Sequence, residues 1–89
     1  MQRKIILEQA IGLTTGDREE AHGDPSDTFG FIAKLWNAYL DEPVTPEDVC
    51  HMMTLLKMAR MRYGADNPDD YIDACGYEAL AGELAGINV

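Results

Sequence analysis

Thr45-Pro46-Glu47-Asp48-Val49-Cys50-His51-Met52-Met53-Thr54-Leu55-Leu56-Lys57-Met58-Ala59-Arg60-Met61-Arg62-Tyr63-Gly64 is the stretch that decides the fold. Thr45 offers a hydroxyl to unpaired backbone amides, and Pro46 suits a first helical position, where no N–H is needed. Glu47 and Asp48 then sit at the positive end of the helix dipole, and Arg60 and Arg62 at the negative end. Gly64 stops the run. Val49, Met52, Met53, Leu55, Leu56 and Ala59 recur at helical spacing over one broad face. Cys50, Met58 and Met61 add apolar surface on the other sides. A helix apolar over most of its circumference belongs in the centre of a bundle or in an oligomer interface.

Working outward, Asn67-Pro68-Asp69-Asp70 repeats the cap-proline-acid-acid opening. It predicts a fourth helix to about Leu84, with Gly86 as its C-cap. Its stripe is Ile72, Cys75, Gly76, Ala79, Leu80 and Leu84. Upstream, Asp24-Pro25 opens a second helix whose Phe29, Ile32, Ala33, Leu35, Trp36, Tyr39 and Leu40 form a wide aromatic stripe. Asp27, Lys34 and Asn37 face outward, and Asp41-Glu42-Pro43 closes it. A first helix spans about residues 3–13 and ends at Thr14-Thr15-Gly16. The polar segment 16–24 reads as an ordered loop. No strand-like alternation is visible. The expectation is an all-α fold, about four helices in a small bundle, one domain over residues 1–89, and a homo-oligomer.

The chain has 89 residues and 46% hydrophobic content, enough for one small core. Its net charge of −9 disfavours direct nucleic-acid binding, because the field repels phosphate. No apolar run approaches the roughly 20 residues needed to span a bilayer. Gln2-Arg3-Lys4 and a short apolar run broken by Glu8 do not read as a signal peptide. Cys50 and Cys75 lie among apolar neighbours; a disulfide is one reading, and reduced, buried thiols are the favoured one. These features together predict a cytoplasmic protein.

Two charges fall where periodicity calls for apolar side chains. Arg60 lies between Leu56 and Met53, and Asp73 between Leu80 and Leu84. A buried unpaired charge costs several kcal/mol or more, so each needs a partner or a ligand. Two readings stay open. Lys57 and Arg60 would hold phosphate oxygens, Arg60 by a two-pronged fork and Lys57 as a point charge. Alternatively Arg60 pairs with Asp73 and locks the antiparallel packing of the third and fourth helices. The pairing is favoured because it satisfies both misplaced charges at once. Asp70 and Asp73, three apart, are candidate Mg²⁺ ligands if a facing helix adds carboxylates, and Tyr77 lies on the same side. His22 stands among carboxylates in the loop and is a candidate ligand or acid–base group. The helix start at Pro25 offers amides to an anion. His51, three after Asp48 and four after Glu47, has chelating spacing. No nucleophile–base pair, phosphate-cradling glycine loop or zinc cysteine pair is present.

Thr15-Gly16-Asp17-Arg18, His22-Gly23-Asp24-Pro25 and Phe29-x-x-Ile32-Ala33-x-Leu35-Trp36 together resemble a small uncharacterised family of bacteriophages and prophages. Thr45-Pro46-Glu47-Asp48-Val49, Leu56-Lys57-Met58-Ala59-Arg60 and Asp70-x-x-Asp73-x-x-Gly76-Tyr77 extend the likeness over nearly the whole chain. It implies a phage origin and intracellular action. More distantly, Asp70-x-x-Asp73 is similar to one acidic pair of the MazG-like all-α nucleotide pyrophosphohydrolases, whose second pair, Glu-x-x-Glu, has no counterpart here. That likeness implies a nucleotide-sized cleft, Mg²⁺ and an oligomer. The leading expectation is a nucleotide or related phosphate ligand held by Lys57, Arg60, Asp70, Asp73, Tyr77 and His22, with Trp36 or Tyr77 stacking on a base; a degenerate or active MazG-like pyrophosphohydrolase, hydrolysing a nucleoside triphosphate, is its subsidiary form. The competing expectation, from the negative charge, is a module that binds a host protein, such as a phage inhibitor of a host defence or nucleic-acid enzyme.

Overall fold

Each proline-marked cap starts a helix. The computed structural model describes residues 1–16 and 21–89. It contains α1 (Gln2–Thr14), α2 (Pro25–Leu40), α3 (Pro46–Tyr63) and α4 (Pro68–Leu84), with no strand among the described residues. The expected loop over 16–24 is corrected in part, since residues 21 and 22 have helical backbone. Asp17, Arg18, Glu19 and Glu20, which that reading placed around His22, lie outside the described residues.

The helix ends follow local chemistry. Thr45 Oγ1 accepts from the Asp48 amide and Asp48 Oδ2 accepts from the Thr45 amide, both at 3.0 Å. This reciprocal pair satisfies two backbone donors that helix geometry leaves open. Asn67 caps α4 by accepting from the Asp69 amide. Asp41 closes α2 in the left-handed region, at φ 55°, while its amide donates to the Asn37 carbonyl. Gly64 ends α3 in extended conformation, not through a positive φ. Its requirement is close approach, because a Cβ there would lie 2.8 Å from the Arg60 carbonyl oxygen. Ala85 caps α4, and Gly86 follows it at φ 81°.

α4 is the organising helix. It packs most extensively on α3 and next on α1, while α2 leans mainly on α3. The core is small: Ala10, Ala33, Val49, Cys50, Ile72 and Ala81 are the buried apolar residues. α1 reaches α4 closely at Gly76, where an added Cβ would stand 3.1 Å from Thr14 Cγ2. Val49 and Cys50 of α3 are fully enclosed. Met52, Leu55, Leu56 and Ala59, assigned with Val49 to one packed face, are exposed. The apolar face of α3 is wider than the sector α4 can cover.

Candidate functional site

At the junction of α1, α2 and α4 lies a cavity of about 250 Å³. Leu13 and Thr14 come from the last turn of α1, and Pro25, Thr28 and Phe29 from the start of α2. Asp73, Gly76, Tyr77 and Leu80 line it from α4, and His22 and Gly23 close it from the approach to α2. Gly76 shapes this wall because its missing side chain lets α1 come close. Phe29 and Tyr77 meet edge to face, with ring centroids 6.4 Å apart and planes at 87°. That geometry directs the positive edge of one ring at the face of the other and fixes both.

Asp73 is the charged group of the wall. Its Oδ2 accepts from Lys57 Nζ at 2.8 Å, across the α3–α4 contact. Side-chain exposures of 11% for Lys57 and 29% for Asp73 keep most water from the pair. The expected Arg60–Asp73 pairing is therefore corrected: Lys57 is the partner, and Arg60 is exposed. The reason is position along the helix. Both cations fall at angles between those of Val49 and Cys50, but Lys57 comes level with Asp73, whereas Arg60 lies in the last turn of α3.

Of the six expected ligand residues, the structure brings His22, Asp73 and Tyr77 to one cavity and sets Lys57 behind Asp73. Arg60 and Asp70 do not line it. Asp70 is buried, 5% exposed, in the first turn of α4. Trp36 is half-buried elsewhere on α2. The expected anion site at the start of α2 is also absent from the described residues. Asp24 Oδ1 accepts from the Ser26 amide, and the Asp24 carbonyl accepts from the Asp27 and Thr28 amides, so those donors are already used. Among the described residues no three His, Cys, Asp or Glu side chains converge as metal ligands. Asp73 alone, neutralised by a lysine, does not fit a Mg²⁺ centre.

A second polar cluster joins α3 to α4 away from the cavity lining. His51 Nε2 lies 2.9 Å from Glu47 Oε2, and His51 Nδ1 lies 2.9 Å from Glu78 Oε2. Thr54 Oγ1 donates to the same Glu78 oxygen at 2.7 Å. The hydrogen bonds to Glu47 and Glu78 hold the imidazole above its ordinary pKa. Burial pushes Glu78 upward, but Thr54 and His51 outweigh it and keep the carboxyl below the usual range. Asp48, which the spacing paired with His51, instead closes the α3 cap, and the Thr45 amide and hydroxyl keep its pKa low. Burial and these nearby carboxylates push the Cys50 thiol to about 11, so it stays protonated. Cys50 and Cys75 are both free thiols. Glu78 escaped the sequence reading because nothing local marks a residue whose partner is on another helix. Phe29 and Gly76 were visible as stripe members and in the family motifs, not as cavity residues.

Four helices, three of which meet around a hollow lined by Phe29, Asp73 and Tyr77, define a small all-α protein. The domain of unknown function DUF6378 matches residues 5–85, and the chain belongs to that family. It is 36% identical over 72 residues to the Gene 55 protein of Mycobacterium phage D29, covering 81% of this chain and 48% of that protein. It is 40% identical over 76 residues to the Gene 55 protein of Mycobacterium phage L5, covering 84% of this chain and 49% of that protein. The chain thus spans about half the length of these curated relatives. No solved structure matches it. Among the described residues, no helix is long and apolar enough to cross a membrane.

Proposed function

We propose that this phage-type protein binds a nucleotide or a related phosphate-bearing ligand, with the nucleoside part in the α1–α2–α4 cavity, inside the infected cell. The observation that carries the reading is the convergence of His22, Asp73 and Tyr77 on one hollow, with Lys57 held at its back by Asp73. The volume, about 250 Å³, suits a base or nucleoside and is too small to enclose a full dinucleotide. Tyr77 and Phe29 offer a fixed ring surface. Asp73 accepts from an amino or hydroxyl group, His22 offers its ring nitrogens, and Lys57 offsets the Asp73 charge at the cavity's back. Arg60 has no part in this assignment. Asp70 does not line the cavity, so among the described residues Asp73 has no second carboxylate beside it there, and the reading is one of binding.

A thermal-shift panel of nucleosides and nucleotides, with and without Mg²⁺, tests it. At ligand concentrations near 100 times Kd, stabilisation of about 2.7 kcal/mol is expected. Tyr77→Ala should abolish the shift while the helical circular dichroism persists. Absence of any shift across the panel at about millimolar ligand, where even weak complexes of about −4 kcal/mol form, removes the proposal.

A further inference from the structure

The uncovered side of α3 has a pattern of its own. Asp48, Met52, Leu55, Ala59 and Arg62 are spaced four, three, four and three apart, the repeat of a two-helix seam. All five are exposed, Leu55 by 61%. The opposite side of the same helix, with Val49 and Cys50, is already packed within the fold. We propose that this seam joins two copies of the chain about a twofold axis, α3 against α3 in antiparallel orientation.

Four independent observations point to a second copy. The first is area: the chain exposes 6590 Å², against about 5,200 Å² for a compact monomer of this mass. The surplus exceeds the roughly 800 Å² per partner that a standard interface buries. The second is charge distribution. None of the 16 acidic residues lies in 28–40 or 51–63, the bulk of the α2–α3 hairpin. Two chains of charge −9 repel, and this is the face on which they can approach with least cost. The third is polarity along the seam, which is acidic at one end and basic at the other. Antiparallel pairing centred on Leu55 sets Asp48 beside the other copy's Arg62, whereas parallel pairing sets like charges together. The fourth is size: in the same register Met52 and the other copy's Ala59 come within one residue of level, large against small. A twofold interface is self-complementary in this way.

Light scattering on the eluting 89-residue chain tests the proposal. The expected mass at micromolar concentration is twice 9.9 kDa. Leu55→Glu should return the single-chain mass, and Arg62→Glu should weaken association by about tenfold. Leu7→Glu, on the exposed side of α1, should leave the dimer intact. If Leu55→Glu loses its helical circular dichroism, Leu55→Ala should raise the dissociation constant about tenfold or more without unfolding. For orientation, oxidising a mixture of Met52→Cys and Ala59→Cys chains should yield a cross-linked pair containing one of each. A wild-type chain that remains single at about 100 μM, a weak limit of about −5 kcal/mol, overturns the proposal. So does a dimer indifferent to Leu55, or cross-linking of Met52→Cys chains to each other in preference to the mixed pair.

Discussion

An ammonium 2.8 Å from a carboxylate matters more the less water reaches it. Lys57 and Asp73 stand between the exposed and fully buried limits, so removing one partner should cost about 1–3 kcal/mol. Asp73→Asn is expected to lower stability by that amount in urea denaturation, because Lys57 is left largely enclosed without a counter-charge. Arg60→Ala should change it by less than about 0.5 kcal/mol, as for an ordinary surface position. If Arg60 proved the more costly of the two, the assignment of Lys57 as partner would be wrong. Both lysine and arginine were visible in the sequence as cations near the end of a strongly apolar helix. Periodicity alone placed Arg60 inside, since it treats every apolar neighbour as core. It gives the angle of a side chain and not which turn meets the partner helix, so Arg60 in the last turn and Lys57 one turn earlier could not be told apart as partners of Asp73.

At the scale of the element, α3 and α4 are tied by the Glu47–His51–Glu78–Thr54 cluster. The imidazole pKa is raised in the folded chain from the ordinary 6.5. Its contribution to stability is therefore complete below 6.5 and is lost as pH rises through the raised value. Glu78 acts in the other direction. Its carboxyl is lowered from 4.5, so its contribution is present above that value and is lost as pH falls through the lowered one. Stability should thus peak between the two windows. Denaturation midpoints measured from about pH 4 to about pH 9 should fall on the alkaline side in the wild type and stay flatter in His51→Gln. An unchanged alkaline limb in that variant would show that the cluster does not couple folding to pH. Helix starts at Pro25, Pro46 and Pro68 were legible because a cap acts on amides two or three residues away. Glu78 was not, since its partners His51 and Thr54 are 27 and 24 residues distant.

On the scale of the whole molecule, the radius of gyration is 13.7 Å, against about 12 Å for a compact chain of this length. Six buried apolar residues, three of them alanines, are a thin core for four helices. The all-round apolarity of α3 already signalled either a central helix or an interface in the sequence. It could not separate these, because periodicity marks apolar positions without saying whether another helix of the same chain or a second copy covers them. An assembled pair predicts a property that an isolated bundle lacks: folding coupled to concentration. Unfolding entropy of about 2.1 cal/mol/K per residue gives about 0.37 kcal/mol/K for two chains. Each tenfold rise in protein concentration is worth about 1.4 kcal/mol to the dimer. The melting temperature should therefore climb by about 3–4 °C per decade of concentration, and Leu55→Glu should flatten that slope to zero. Calorimetric scans over two decades measure it directly. A flat wild-type slope would mean that the chain is stable alone despite its thin core, and that the seam on α3 contributes nothing to folding.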